Sequence, residues 1–316
     1  MYKNLVFTII CISCIMPLKG QPTITPSANQ AIYEQANYNG VTYAGVGYRK
    51  LNKKFSIACH VFIDSTSFLY NITDTEIEAA IINLNQNFEA LGFQFEVCEI
   101  NYHKNFQYNN YSYQKHKFEP MVLHNKKNAI NLFISATVIG TGHASGNAGF
   151  ASMPSDETSF VFITKTALTT SNSLTHLIGH YFGLYNTNEV AFGEEFVDTD
   201  REDCYFGNDQ ACRCRTTGDL MCDTRADRTV IATVGFYTIT DDQCKFIPEL
   251  VFNDPNDSFD KFKDGENQWI EPPMNNFMSN YWGSNSDCRD RFSPGQMRKM
   301  YLEVTNPNSR IYQDNW

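Results

Sequence analysis

Two histidines four positions apart have the spacing that most clearly suggests chemistry in this sequence. His176 and His180 lie in the segment Leu174–Thr187, which reads LTHLIGHYFGLYNT. On a helix, side chains four residues apart share one face, so both imidazoles can bind one zinc ion at about 2.0–2.1 Å. At Gly183 the chain can turn sharply in the left-handed conformation, so that Asn186, three residues further on, can return to the same metal.

Motifs further along the chain occur in a fixed order, and with the histidine segment they resemble a known enzyme family. The histidine spacing resembles the metzincin zinc motif H-E-x-x-H-x-x-G-x-x-H, and the wider context looks like the pappalysin-type metallopeptidases. The resemblance runs from about residue 55 to about residue 304, and several ordered motifs are more specific than one. The later elements are Gly218-Asp219 with Asp223-Thr224, a Met-turn over Asn276–Ser279 that contains Met278, and Cys288-Arg289 with Phe292 and Gly295-Gln296.

The resemblance implies a single metzincin-like domain of the α/β (α+β) class. It predicts a mixed sheet with two long helices in an upper subdomain, about residues 51–183. An irregular, disulfide-rich lower subdomain follows, about residues 184–316. The cleft between them would hold the two histidines and Asn186, with Met278 beneath them, while Gly183, Asp219 and Asp223 would have structural roles.

Three positions depart from the family pattern, and two of them remove parts of the hydrolytic machinery. In active relatives the residue after the first histidine is a glutamate that activates zinc-bound water. Here it is Leu177, which has no proton-accepting atom. The third ligand position is Asn186, and a neutral amide is a weak and rare zinc ligand. The tyrosine two residues after the Met is replaced by Asn280, with Tyr281 one position later.

These departures favour a secreted homologue that binds a protein or peptide in the old cleft and does not cut it. Zinc is then weakly held or absent at His176, His180 and Asn186. Two alternatives stay open. One is an unorthodox zinc peptidase with a substitute base or ligand, and the other is a structural or adhesion module whose cleft is vestigial.

An acidic run follows the histidine motif. Seven Asp and Glu residues lie between positions 189 and 203, and the net charge of the chain is −10. Part of this run can form a calcium site with Asp219 or Asp223, because calcium prefers carboxylate oxygens, although a solvated acidic loop is the simpler interpretation. Because the chain is acidic and has no basic stripe, we do not expect it to bind nucleic acid.

The N-terminus is typical of a signal peptide. Lys3 precedes the apolar stretch Leu5–Leu18, which is too short to span a bilayer, so we expect residues 1–20 to be removed and no other membrane segment. An uncleaved anchor and lipid attachment at Cys14 are the weaker alternatives. The protein is therefore predicted to be secreted, periplasmic or extracellular, where an even number of cysteines favours disulfides. The candidates are Cys59, Cys98, Cys204, Cys212, Cys214, Cys222, Cys244 and Cys288. For Cys59 and Cys98, in the N-terminal half, two buried thiols are the open alternative to a disulfide.

The positions of the motifs depend on a simple pattern of predicted elements. Residues 21–50 are a polar lead-in or pro-segment-like stretch before the domain at 51–316. Alternating apolar residues predict strands. A capping box at Thr73 and Glu76 begins a helix with one apolar face. The strands are predicted over 54–64, 93–100, 129–138, 150–153 and 159–164, and a long loop over 101–127. A further helix is capped by Ser171 or Ser173 and runs through His176 to Leu184, and a closing helix is predicted over 295–304.

Overall fold

The computed structural model describes residues 50–64, 71–139, 148–156, 158–193, 195–196, 214, 216–227, 244, 246, 270–280 and 287–315. The predicted leader and almost all of the lead-in lie outside these ranges, as do most of the acidic run, Cys204, Cys212 and Tyr281. None of the described helices has the length and apolar character that crossing a membrane requires.

A five-stranded sheet forms the centre of the described chain. Its strand order is β2-β1-β4-β7-β6, and neighbours pair in parallel except β6, which runs antiparallel to β7 at one edge. Two further short strands, β3 and β5, pair in parallel with each other. The strands are β1 (Lys53–Ile63), β2 (Phe93–Lys104), β3 (Asn110–Ser112), β4 (Ile130–Ser135), β5 (Thr137–Ile139), β6 (Gly149–Ala151) and β7 (Val161–Thr164).

The first long helix begins at the capping box that the sequence predicts. The Thr73 hydroxyl accepts from the Glu76 N–H at 3.3 Å, and the Glu76 carboxylate accepts from the Thr73 N–H at 2.8 Å. This helix crosses between the parallel strands β1 and β2, which need such a connection. The helices are α1 (Asp74–Asn87), α2 (Phe106–Asn109), α3 (Tyr113–His116), α4 (Glu119–His124), α5 (Lys165–Thr170), α6 (Ser173–Tyr181), α7 (Pro294–Thr305) and α8 (Arg310–Asn315).

Apolar side chains cover both faces of the sheet, because successive residues of a strand point to opposite sides. Residues of α1 and α6, such as Leu84 and Ile178, join one large cluster with one face of β1. An aromatic cluster covers the other face, where the Tyr111 and Phe162 rings stack at 4.2 Å. The hydrophobic core is therefore shared between two layers, and α6 is part of the larger one.

The prediction of a long loop over 101–127 is wrong. Strand β2 continues to Lys104, and α2, β3, α3 and α4 follow it. These elements are only three to six residues long. Aromatic residues such as Tyr108 and Tyr111 attach them to the sheet, and pieces this short show no periodicity in the sequence.

Two disulfides form among the described cysteines. They are Cys214–Cys222 and Cys244–Cys288. Of the two possibilities for Cys59 and Cys98, a disulfide or two thiols, the structure has the thiols. The pairing of β1 with β2 shifts register after Ile57, and at this irregularity the Cys98 thiol donates to the Ile57 carbonyl at 3.3 Å. Cys59 instead lies buried within the core cluster.

Candidate metal centre

Helix α6 brings His176 and His180 together inside the protein. All nine residues of this helix are buried, and the two histidines are 8% and 2% exposed. Their rings are almost perpendicular, and the two Nε2 atoms lie 3.1 Å apart. The predicted helical spacing therefore places both imidazoles on one face, with one nitrogen of each ring directed at the other.

Two backbone carbonyls determine where the imidazole protons lie. The Nδ1 atom of His176 is 2.7 Å from the Phe277 carbonyl oxygen, and that of His180 is 2.8 Å from the Leu184 carbonyl oxygen. Because a carbonyl oxygen only accepts, each Nδ1 carries its proton. Both Nε2 lone pairs then face each other at 3.1 Å. The other neutral tautomer of either ring would direct a lone pair at a carbonyl oxygen instead.

A cation between the two Nε2 atoms removes this conflict. A proton could serve, but burial lowers the pKa of His176 well below its usual value and that of His180 to about 4. At neutral pH both rings are therefore unprotonated at Nε2, which is the state that binds metal. The hydrogen bonds from Nδ1 to carbonyls are also the usual outer support of metal-binding histidines.

Asn186 supplies an oxygen beside this pair. Its Oδ1 atom is buried and has no hydrogen-bond partner of ordinary geometry. The amide nevertheless acts on His180, since it raises the pKa of that imidazole against the larger lowering by burial. A buried amide oxygen without a hydrogen bond is costly unless a cation or a donor contacts it. Two imidazoles and this oxygen thus fit a metal ion, although as a weaker set than three histidines.

Leu177 fills the position where the metzincin motif has its glutamate. It is 2% exposed and belongs to the main core cluster. A Cβ placed on Gly149 of the edge strand β6 would lie only 2.9 Å from the Leu177 Cδ1 atom and 2.1 Å from the Phe162 carbonyl oxygen. The leucine side chain therefore packs between α6 and β6, where it offers no proton acceptor.

Met278 lies against the same helix. A Cβ on Gly179 would lie 2.4 Å from the Met278 sulfur, so the glycine allows the helix and the methionine to approach closely. The Asn276 side chain holds this turn by accepting from the Met278 N–H at 2.8 Å, and the Met278 carbonyl accepts from the Thr187 N–H at 3.0 Å. The turn is thus connected to the segment that carries Asn186.

Three further positions of the family pattern are Gly183, Asn280 and Tyr281, and the structure describes the first two. Gly183 has a φ of +90° just after the end of α6, a conformation that favours glycine. Asn280 donates to the Asn188 side chain at 3.0 Å. Tyr281 lies outside the described residues, so its relation to the two histidines stays a prediction.

The carboxylates of Asp219 and Asp223 both accept hydrogen bonds from other groups of the protein. Asp219 accepts from the Thr224 hydroxyl and the Met221 N–H, each at 3.0 Å, and burial raises its pKa to about 8. Asp223 accepts from the Ser293 hydroxyl at 2.8 Å at the start of α7. No group of three His, Cys, Asp or Glu side chains able to hold a metal occurs within the described ranges. Calcium binding therefore stays a prediction.

Two groups important to this centre are backbone carbonyls, those of Leu184 and Phe277. Sequence reasoning missed them, because every residue type carries a carbonyl. The Met-turn motif is the only signal near Phe277, and it indicates a turn without showing which carbonyl approaches His176. Sequence reasoning also missed the hydrogen bond that the Thr187 hydroxyl donates to the Asp227 carboxylate at 2.7 Å.

Comparison with known proteins gives a likeness of fold. No protein-family model and no curated protein matches the chain. The solved structure titled "Mirolysin in complex with compound 9" is 14% identical, covers 83% of this chain and 96% of that chain, and has a TM-score of 0.51. Metalloproteinase-II from Bacteroides fragilis is 12% identical and covers 50% of this chain and 51% of that chain. Its TM-score of 0.29 is too low to indicate a shared fold. The chain therefore has a metzincin-like α/β fold, with a mostly parallel sheet, similar to that of the metallopeptidase mirolysin.

Proposed function

We propose that this chain is a pappalysin-type metzincin homologue that binds a protein or peptide in its cleft without hydrolysing it. The observation that carries the proposal is Leu177, buried between α6 and β6 where hydrolysis needs a proton acceptor. Loss of a positioned general base typically slows a reaction about 10²–10⁴-fold. The Met-turn and the two histidines are retained, which supports descent from a peptidase scaffold.

His176, His180 and Asn186 would hold a zinc ion in this protein. A bound zinc would supply a Lewis acid able to polarise a carbonyl oxygen. The chain's own residues orient the two imidazoles through the Leu184 and Phe277 carbonyls. Because Asn186 is neutral, we expect the ion to be held more weakly than by three histidines.

The edge strand β6 is the natural place for an extended peptide. It pairs on one side with β7 and is the last strand in the order of the five-stranded sheet. An added peptide strand can use the backbone groups on the other side, a common mode of peptide recognition. Leu177 packs directly beneath Gly149 of this strand, so a peptide paired with β6 would lie next to the altered position.

We further propose that the protein acts outside the cytoplasm. Two disulfides among the described cysteines support an oxidising compartment. The predicted leader at residues 1–20 agrees with this location. Mass spectrometry of the N-terminus of the exported protein would test it, with a new terminus at Gln21 as the expected result.

Restoring the missing groups tests the loss of hydrolysis. Unmodified protein should cleave no peptide, whereas Leu177→Glu with Asn186→His should gain cleavage that a chelator abolishes. The matched control is Leu177→Gln with Asn186→His, because glutamine has nearly the size and shape of glutamate but no carboxylate to act as a base. A gain in the Glu variant alone supports a scaffold that lacks only these groups.

The same assay can overturn the proposal. Chelator-sensitive cleavage by the unmodified protein would show an active zinc peptidase with a substitute base, the alternative that the retained histidine pair favours. A folded double variant that stays inert would show that the cleft has changed beyond positions 177 and 186. Peptide binding is measured separately, by fluorescence polarisation over a library of extended peptides.

A further inference from the structure

Three more histidines cluster on a different part of the sheet. His60 lies in β1, His103 near the end of β2, and His124 at the end of α4. The His103 and His124 ring centroids are 4.0 Å apart, and His60 is 5.6 Å from His103 and 6.1 Å from His124. Neither the candidate metal centre on α6 nor the proposed peptide site uses these residues.

Asn131 determines the tautomer of His60. The Asn131 side-chain nitrogen faces three oxygen acceptors, on Asn125, Lys126 and Ala129, at 2.8–3.1 Å. Its oxygen accepts from the Lys126 N–H at 2.7 Å and lies 3.1 Å from His60 Nε2. Because that oxygen only accepts, His60 carries its proton on Nε2 and presents the Nδ1 lone pair on the other side of the ring. His60 is 2% exposed, so this orientation is held within the protein.

The Nε2–H of His103 donates to this lone pair. Its Nε2 lies 3.4 Å from His60 Nδ1. Two nitrogens bound tetrahedrally to one metal at about 2.0–2.1 Å have nearly this separation. Burial is the main cause that lowers the pKa of all three histidines, that of His103 to about 4, so the rings are neutral near pH 7. His103 and His124 are only partly buried, which leaves a route from solvent.

We propose that His60, His103 and His124 form a second site, separate from the centre on α6, for a divalent transition metal of the kind that imidazole ligands prefer. As they stand, no three His, Cys, Asp or Glu side chains in the described residues are arranged to hold a metal ion. The site is therefore not preformed: His60 and His103 would hold the ion between them, and the His124 ring would have to turn to become the third ligand. His103 then carries its proton on Nδ1, so binding releases no net proton.

The charges around the cluster partly favour a cation. Glu99 raises the pKa of His60, which means that it stabilises positive charge there, and Lys126 acts in the opposite direction. Lys126 is itself paired with Glu99 at 3.2 Å. The hydrogen bond from His60 Nε2 to Asn131 resembles the outer support that metal-binding histidines usually have.

Zinc stoichiometry tests the proposal. Full-length protein freed of metal is dialysed against zinc and analysed for zinc per chain, as wild type, His103→Gln and His116→Gln. His116 is the matched control, because it lies on α3 and contacts Tyr108 and Tyr111 outside the cluster. We expect His103→Gln to bind about one zinc fewer than wild type and His116→Gln to bind the same number. Equal zinc in all three proteins would overturn the proposal.

A measurement on unmodified protein decides the matter if His103→Gln does not fold. Histidine acylation by diethyl pyrocarbonate, followed residue by residue by mass spectrometry, reports which imidazoles are free. Zinc should protect His103 and His124 at least several-fold and leave His116 unchanged. Acylation of His103 at the same rate with and without zinc would contradict the site. Because the centre on α6 is not altered in any of these proteins, its occupancy does not affect either comparison.

Discussion

Gly179 shows how closely a single residue determines the packing beneath the two histidines. A methyl group at this position would lie 2.4 Å from the Met278 sulfur. We predict that Gly179→Ala destabilises the protein by about 1–3 kcal/mol, as overpacking does, although alanine is the better helix former by about 1 kcal/mol. Urea unfolding of the two proteins measures the difference.

A second substitution separates this clash from other effects of alanine. Met278→Ala removes the atom that the methyl group meets, so Gly179→Ala should cost less in that background than in the wild type. Residues in contact are the ones whose effects fail to add. Strict additivity of the two changes would show that the close approach is not the cause.

At this scale the sequence identified the two histidines of the candidate metal centre but not the groups to which they hydrogen-bond. The spacing of His176 and His180 correctly places both rings on one face of α6. That spacing contains no information about the Phe277 carbonyl, which is distant in the chain. The choice between a disulfide and two thiols at Cys59 and Cys98 stayed open for a similar reason, because a register shift between two strands cannot be read from cysteine positions.

At the scale of elements, Asp223 connects the irregular region to helix α7. Its carboxylate accepts from the Ser293 hydroxyl at 2.8 Å and from the Gly295 N–H at 2.6 Å, at the N-terminus of the helix. Negative charge is favourable there, and hydrogen bonds to charged groups are the stronger kind. We predict that Asp223→Ala lowers the free energy of unfolding by about 1–3 kcal/mol.

Asp290 provides the control for that prediction. It lies close by and pairs with Arg291 at 2.6 Å, but both side chains are exposed. Asp290→Ala should therefore change stability by less than about 1 kcal/mol. Equal effects of the two alanine variants in a denaturant titration would contradict a special role for Asp223 at the helix start.

Elements with a strong local signal were predictable, and those fixed by tertiary packing were not. The capping box at Thr73 and Glu76 identified the start of α1 because its hydrogen bonds lie within one turn. The three short helices between residues 106 and 124 have no capping box, although the Asn105 side chain caps the first of them. They depend on aromatic contacts with the sheet, which only the folded chain provides.

At the scale of the whole molecule, the histidine cluster makes stability depend on pH. The folded state lowers the pKa of His60, His103 and His124, so near pH 5 the unfolded chain binds more protons. In metal-free protein we expect the free energy of unfolding to fall as the pH drops below about 6.5. Glu99 and Lys126 also act on His60, Glu99 raising its pKa and Lys126 lowering it.

Urea unfolding between pH 5 and pH 7.5 checks this expectation. His103→Gln removes one titrating ring, so its stability should decline less steeply on acidification than that of the wild type. His116→Gln serves again as the control and should follow the wild type. Identical pH profiles for wild type and His103→Gln would show that the cluster does not titrate in this range.

The mixed sheet was the most predictable part of the architecture, since the alternating strands indicate it. The order of strands could not be read from the sequence, because pairing joins segments far apart. In particular, the edge position of β6 depends on an antiparallel return that the pattern of a three-residue strand does not reveal.

The bond between His176 and the Phe277 carbonyl has a consequence for the order of events during synthesis. The two residues are 101 positions apart. While the chain leaves the ribosome, β1, α1 and β2 can assemble from neighbouring segments, and α6 can form soon afterwards. The ring of His176 nevertheless lacks its partner until the turn around Met278 has emerged and docked. A nascent chain that ends before this turn therefore carries both histidines, yet it cannot hold them in the tautomers that the mature protein imposes.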